Sequence, residues 1–175
     1  MEWYELMADG YNRIPEYLEK VLKGLTQEEL DWQPRPDCNS IGWLVWHLTR
    51  QQDAQVSALL GEEQLWIKEK WHSRFNRPAD PKDMGFGDSP EQVKAFQSPD
   101  SQTLLEYNRA VVHRTQQSFF NISKEDLDRE LNEPWFQPTP TMGVRLVSIL
   151  DDSVKHAGQA AYLRGLIQGK GWQKY

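Results

Sequence analysis

Four stretches of this chain carry apolar residues at spacings of three and four, and no stretch sustains an alternation of apolar with polar residues. Spacing by threes and fours lays one apolar stripe along a helix, whereas a half-buried strand needs a period of two. A chain patterned in this way hides its apolar surface by packing helix against helix. The first stretch runs from Glu2 to Leu25, with Trp3, Leu6, Tyr11, Ile14, Leu18, Val21 and Leu22 on its stripe. Gly10 and Pro15 fall inside it, and a proline removes a backbone donor, so a kink or break is expected there. The second stretch starts after Asn39 or Ser40 as its cap and continues through Val56, Leu59 and Leu60 to Gly61. The third spans Ser101 to Asn121, and the fourth is capped by Thr141 and stopped by Gly169.

The connections are not simple turns. Thr26-Gln27-Glu28-Glu29 reads as a capping box that opens a short helix ended by Pro34 and Pro36. Trp66, Ile67, Trp71 and Phe75 predict another, and Ser123 opens a third. Residues 62–100, punctuated by Pro78, Pro81, Gly85, Gly87 and Pro90, form an excursion long enough to be read as a lid or wall over a site. Pro134 to Pro140 cannot be helical throughout, because a residue before proline is pushed away from the helical region. The expectation is one all-α domain over residues 1–175, a four-helix bundle with short extra helices in its connections and its topology open.

Composition excludes several functions. Lys plus Arg number 20 against 26 Asp plus Glu, a net charge of −6, which disfavours a surface that tracks nucleic-acid phosphates. Cys38 is the sole cysteine, so neither an intrachain disulfide nor a cysteine metal cluster can form, and a reducing, cytoplasmic setting is expected. The start Met1-Glu2-Trp3-Tyr4-Glu5 has no secretory pattern, and no run of apolar residues is long enough to span a membrane. There is no glycine-rich phosphate loop, nucleophile elbow or His-Glu-x-x-His pair.

The histidines carry the chemistry that remains. On the fourth helix Ile149, Asp152, His156 and Leu163 share one face, which places a carboxylate and an imidazole one turn apart on a stripe that is apolar at both ends. On the second, His47 shares a face with Trp43, Leu44 and Gln51. Burying an unpaired charge is expensive, so Asp152 and His156 either pair with each other or, together with His47, hold a divalent cation in the bundle core. His72 lies in the tryptophan-rich excursion and His113 beside Arg114 on a polar part of the third helix, and neither is expected to touch a ligand.

Ser40-Ile41-Gly42-Trp43-Leu44-Val45-Trp46-His47-Leu48-Thr49-Arg50, followed by Asp53, resembles the second-helix motif of the DinB-like superfamily. The run from Gly143 to Gly165, with Asp151-Asp152-Ser153-Val154-Lys155-His156 at its centre, resembles the fourth-helix motif. The likeness is to a subgroup of unknown function near the mycothiol-dependent maleylpyruvate isomerases. It implies a four-helix bundle holding zinc or nickel between helices two and four, with His47, Asp152 and His156 as ligands. Many members have histidine where this chain has Asp152, and the isomerase-like members have glutamate. Asp151 is the fallback ligand, though it points about 100° away from the His156 stripe.

The resemblance further implies a small-molecule substrate, a low-molecular-weight thiol cosubstrate of the mycothiol or bacillithiol type in S-transferase or isomerase chemistry, and a homodimer. Gln159, Arg145 and Trp43 are the expected substrate-binding residues, with Arg50, Arg164, Trp71, Phe75, Trp135 and Phe136 as further candidates. Two other functions fit the same residues. A metal-dependent hydrolase would need a general base, for which Asp53 is the candidate. A non-catalytic binding or dimerisation module would use His47, Asp152 and His156 as a buried hydrogen-bond network.

Overall fold

The computed structural model describes residues 1–133 and 136–173, and among these every regular element is a helix, apart from one isolated bridge between Glu130 and Thr141. In chain order the helices are α1 (Trp3–Leu22), α2 (Gln27–Asp31), α3 (Ile41–Leu60), α4 (Leu65–Lys68), α5 (Trp71–Arg74), α6 (Pro90–Ala95), α7 (Ser101–Phe119), α8 (Lys124–Leu127) and α9 (Met142–Gln168). A 3₁₀ turn, Lys170–Trp172, follows.

Local chemistry sets the ends. Ser40 and Thr141 each accept the backbone N–H three residues on, at the starts of α3 and α9, and Gly61 ends α3 in the left-handed conformation that glycine adopts without strain. α1 runs through Gly10 and Pro15 without the expected break. Gly10 faces α9, where a Cβ would lie 3.0 Å from Leu150. The single short helix expected over Trp66–Phe75 is instead two, α4 and α5, because Lys70 between them has a φ of 57°.

The four long helices form a square in which α1 and α3 each pack on both α7 and α9. Side-chain pairs fix their directions. Tyr11 donates to the Leu146 carbonyl at 2.8 Å and Arg164 to that of Val21 at 2.8 Å, so α1 and α9 run parallel. Asn108 donates to Thr49 at 3.0 Å and Gln52 to Thr115 at 2.8 Å, so α3 and α7 also run parallel. Gln116 reaches Ala8 while Arg109 pairs with Glu19, so α1 and α7 are antiparallel. The result is an up-down-down-up bundle.

That topology explains the long excursion. Two adjacent parallel helices cannot be joined by a turn; the chain leaving α3 must return along the bundle before α7 can begin. Residues 61–100 make that return, and they lead Asp83 to Asp88 past the N-terminal half of α3. The return segment is anchored by a fully buried carboxylate. Asp53 accepts from the backbone of Leu65 at 2.9 Å and Trp66 at 2.8 Å, from Tyr107 at 2.7 Å, and from Arg50 and Arg114 at 3.3 and 2.9 Å. Arg50, also fully buried, holds the carbonyls of Asp83 and Pro81 and the side chain of Gln64.

These contacts correct several expectations. Arg50 and Asp53 are committed to the crossover, and Asp53 has no free oxygen with which to act as a base. Trp71 and Phe75 are core residues packed on Tyr107, with ring centroids at 5.1 and 5.6 Å, rather than loop aromatics. Arg164 ties α9 to the end of α1 and lies over the Trp172 ring at 4.9 Å. Trp135 lies outside the described residues. Buried aromatics dominate the crossover side of the core, where Trp46, Trp66 and Tyr107 are all fully buried. Each such side chain contributes upwards of about 2 kcal/mol by leaving water.

Candidate metal centre

α3 and α9 are antiparallel neighbours, and His47 on one meets Asp152 and His156 on the other. The i, i+4 spacing that put Asp152 and His156 on one face leaves the His156 Nε2 3.5 Å from Asp152 Oδ1. The His47 and His156 rings meet edge to face with centroids 4.9 Å apart. One ligand atom from each of the three residues can be chosen so that all lie within 4.8 Å of one another. His47 is buried, and His156 and Asp152 are half-buried at the mouth of the groove.

Each imidazole is held by its other nitrogen. His47 Nδ1 donates to the Met84 carbonyl at 2.5 Å, and His156 Nδ1 donates to Gln159 Oε1 at 2.7 Å. Carbonyl oxygens only accept, so both Nδ1 atoms carry a proton and the two Nε2 atoms are the ones left for the cluster. This is the arrangement by which outer partners orient metal-binding histidines. The Trp43 ring lies flat on His47, with centroids 4.6 Å apart and planes at 10°, and its indole N–H donates to Asp88 at 3.2 Å.

The electrostatics follow from burial and pairing. Burial holds the His47 imidazole below the ordinary histidine range, with a contribution from His156, which favours its neutral form. His156 is pushed up, first by its contact with Asp152, against the effect of burial. For Asp152, burial works upward but is outweighed by His156 and His47, and the carboxyl lies below its usual range. Asp152 Oδ2 is buried and has no partner. Two imidazoles held by their Nδ1 atoms and an ionised carboxylate with one orphaned oxygen fit a divalent cation, which would take the place of the proton that His156 shares with Asp152 and whose ligand atoms stand roughly 3 to 4 Å apart.

The remaining expected site residues are placed as follows. Gln159 is exposed on α9, one turn beyond His156. Trp43 is only 5% exposed, so it covers His47 rather than facing the groove as a free surface. Arg145 sits two turns from Asp152 and is engaged: it pairs with Glu133, donates to Gln55 at 3.1 Å and lies 5.5 Å from the centroid of the Phe136 ring, which is itself exposed. Asp151 is exposed, pairs with Lys155 and does not join the cluster. His113 is exposed on α7, and His72 packs on Trp66 at 6.3 Å; neither reaches the cluster.

Sequence reasoning missed Met84, Gly85 and Asp88. Gly85, at φ 77°, packs so closely that a Cβ would lie 2.7 Å from Trp43 and 2.8 Å from Trp46. The glycine punctuation of the excursion was the one available signal, and it marks the point where the return segment presses on α3.

A helical bundle that gathers two imidazoles and a carboxylate between antiparallel inner helices belongs to the class of all-α proteins with a candidate internal metal site. The chain is a member of the DinB superfamily, whose family model matches residues 11–160. A solved structure described as the conserved protein of locus from Enterococcus faecalis is similar over 97% of this chain and 99% of its own, at 33% identity and a TM-score of 0.88. No curated protein matches the chain. Among the described residues no helix is long and apolar enough to cross a membrane.

Proposed function

We propose that the chain is a divalent-metal-dependent enzyme that acts on a small molecule with a low-molecular-weight thiol as cosubstrate, in S-transferase or isomerase chemistry. His47, Asp152 and His156 are the ligands, with zinc or nickel as the metal. The observation that carries this reading is the convergence of His47, Asp152 and His156, whose ligand atoms lie within 4.8 Å of one another, with each imidazole held by its Nδ1 and the Asp152 Oδ2 buried without a partner. Membership in a superfamily whose members often bind a divalent metal supports it.

A divalent cation held by three protein ligands has open positions, and it lowers the pKa of a thiol or water bound there. The chain's own residues do the rest. Met84 and Gln159 fix the two imidazoles, Trp43 keeps solvent from one face of His47, and Asp152 brings a negative charge that partly neutralises the cation. Asp53, the base expected for a hydrolase, is fully occupied elsewhere, so the competing hydrolytic reading loses its candidate general base.

Cobalt-loaded protein titrated with a low-molecular-weight thiol tests the reading. A saturable sulfur-to-cobalt charge-transfer absorption, absent from His47→Ala, is expected. No such absorption in protein that holds cobalt stoichiometrically would remove the thiol from the account.

A further inference from the structure

Beside the cluster lies a cavity of about 640 Å³, within the roughly 300 to 1,000 Å³ typical of small-molecule sites. It opens between α9 and the link from α2 to α3. It starts within one helical turn of both histidines: Leu44 comes three residues before His47, and Gln159 three after His156. Beyond them the wall is apolar, formed by Leu163, Leu166, Tyr162 and Pro34. The charged groups on its rim are already paired. Lys155 is bound to Asp151, and Asp37 takes both the Nε and an Nη of Arg35, at 3.0 and 2.6 Å. What remains polar is uncharged, the amides of Asn39 and Gln159, the Tyr162 hydroxyl and the Cys38 thiol.

The other side of the cluster differs. Along the α3–α9 groove in the opposite direction, Gln55 donates to Gln51 at 2.9 Å and accepts from Arg145, so a polar ladder extends two turns from His47. The surroundings therefore divide into a polar groove and an apolar cavity.

We infer that the cavity bounded by Leu44, Gln159, Tyr162 and Leu166 binds the body of an uncharged, apolar substrate and directs its one polar end past Gln159 to the His47–Asp152–His156 cluster. Binding in the cavity stands on its own walls; the approach of the polar end to a metal rests on the reading of the cluster as a metal centre. An anion finds no unpaired cation in the wall. An aryl or branched alkyl body finds leucine and tyrosine side chains whose cover removes it from water.

Gly158 gives a clean test. It lines the cavity on an exposed face of α9, and a Cβ there meets nothing within 4 Å, so a large side chain is accommodated without displacing backbone and crowds the cavity wall. The probe is 4-fluorobenzyl alcohol, followed by ¹⁹F NMR with metal-free and zinc-loaded full-length protein. Saturable binding to both forms is expected, with at least a tenfold loss in Gly158→Phe and weaker binding of 4-fluorobenzoate. Cys38, the sole thiol and part of the cavity wall, gives a readout in the unmutated protein: the alcohol slows its alkylation by N-ethylmaleimide. Absence of binding, binding undiminished in a folded Gly158→Phe, unchanged Cys38 alkylation, or preference for the benzoate overturns the inference. With zinc loaded, 4-fluorobenzyl mercaptan binds at least tenfold tighter than the alcohol; equal affinity overturns the approach to the metal. Failure to load zinc counts against the metal centre itself, while the alcohol still reports on the cavity.

Discussion

The Nδ1 of His47 donates to the carbonyl of Met84, 37 residues further along the chain. A candidate metal ligand on one long helix is thus oriented by the backbone of the segment that returns the chain to the start of the next. Asp83 is fixed to Arg77 through two contacts of 2.6 Å and its carbonyl to Arg50 at 3.0 Å, so the Met84 carbonyl sits on a braced strap.

Gly85→Ala breaks that strap at its tightest point. The left-handed φ costs an alanine about 1 to 2 kcal/mol, and the contacts with Trp43 and Trp46 add to it. Chemical denaturation is expected to show a loss of about 2 kcal/mol or more, together with weaker metal retention as Met84 shifts. A neutral effect on both would mean that the strap does not position His47.

Asp53→Ala leaves the buried Arg50 and half-buried Arg114 guanidinium groups, a buried phenol and two backbone donors without that acceptor. Removing one member of such a buried set costs about 3 to 5 kcal/mol. The expected result is a protein folded only at low temperature or low denaturant, measured by circular dichroism. A loss below about 1 kcal/mol would contradict the role of Asp53 as anchor of the crossover.

The long helices were legible from periodicity, and their caps from Ser40, Thr141 and Gly61, because those signals are local. The cluster was legible for the same reason on α9, where Asp152 and His156 are one turn apart; its completion by His47 needed the pairing of α3 with α9. What sequence could not show is which polar residues on a helix face inward to other polar groups. Arg50 and Asp53 read as site candidates, yet among the described residues they are the most buried charges, because their partners, Tyr107, Arg114 and the start of α4, come from distant segments. Trp71 and Phe75 were misplaced for the same reason, since periodicity over a four-residue helix does not identify an inward face. The parallel pairing of α3 with α7, which makes the excursion necessary, has no local signature.

Gln159→Leu removes the acceptor of the His156 Nδ1 proton while keeping the side chain's bulk. Loss of such an outer partner typically weakens metal binding by about 10- to 100-fold. Competition with a chromophoric chelator measures it, and unchanged affinity would show that His156 is oriented by packing alone.

In metal-free protein the histidines give opposite pH dependences. His156 is raised in the folded state, so its contribution is fully present below the unfolded value of about 6.5 and is lost as pH rises through the folded value. His47 is lowered, so it costs stability as pH falls below about 6.5. Asp152, also lowered, contributes above its unfolded value of about 3.9 and ceases to as pH falls through the folded one. Thermal melts of wild type and His156→Gln should therefore differ more at pH 5.5 than at pH 8.5. A difference that grows with pH would reverse the assignment of the pair.

The central claim is that His47, Asp152 and His156 hold a divalent cation. Elemental analysis of untagged protein by plasma mass spectrometry, beside His47→Ala and Asp152→Ala, tests it most directly. Near-stoichiometric zinc or nickel in the wild type, lost from both variants while they remain folded, is the predicted result. A wild type that stays free of metal after reconstitution, or variants that keep it, would contradict the claim.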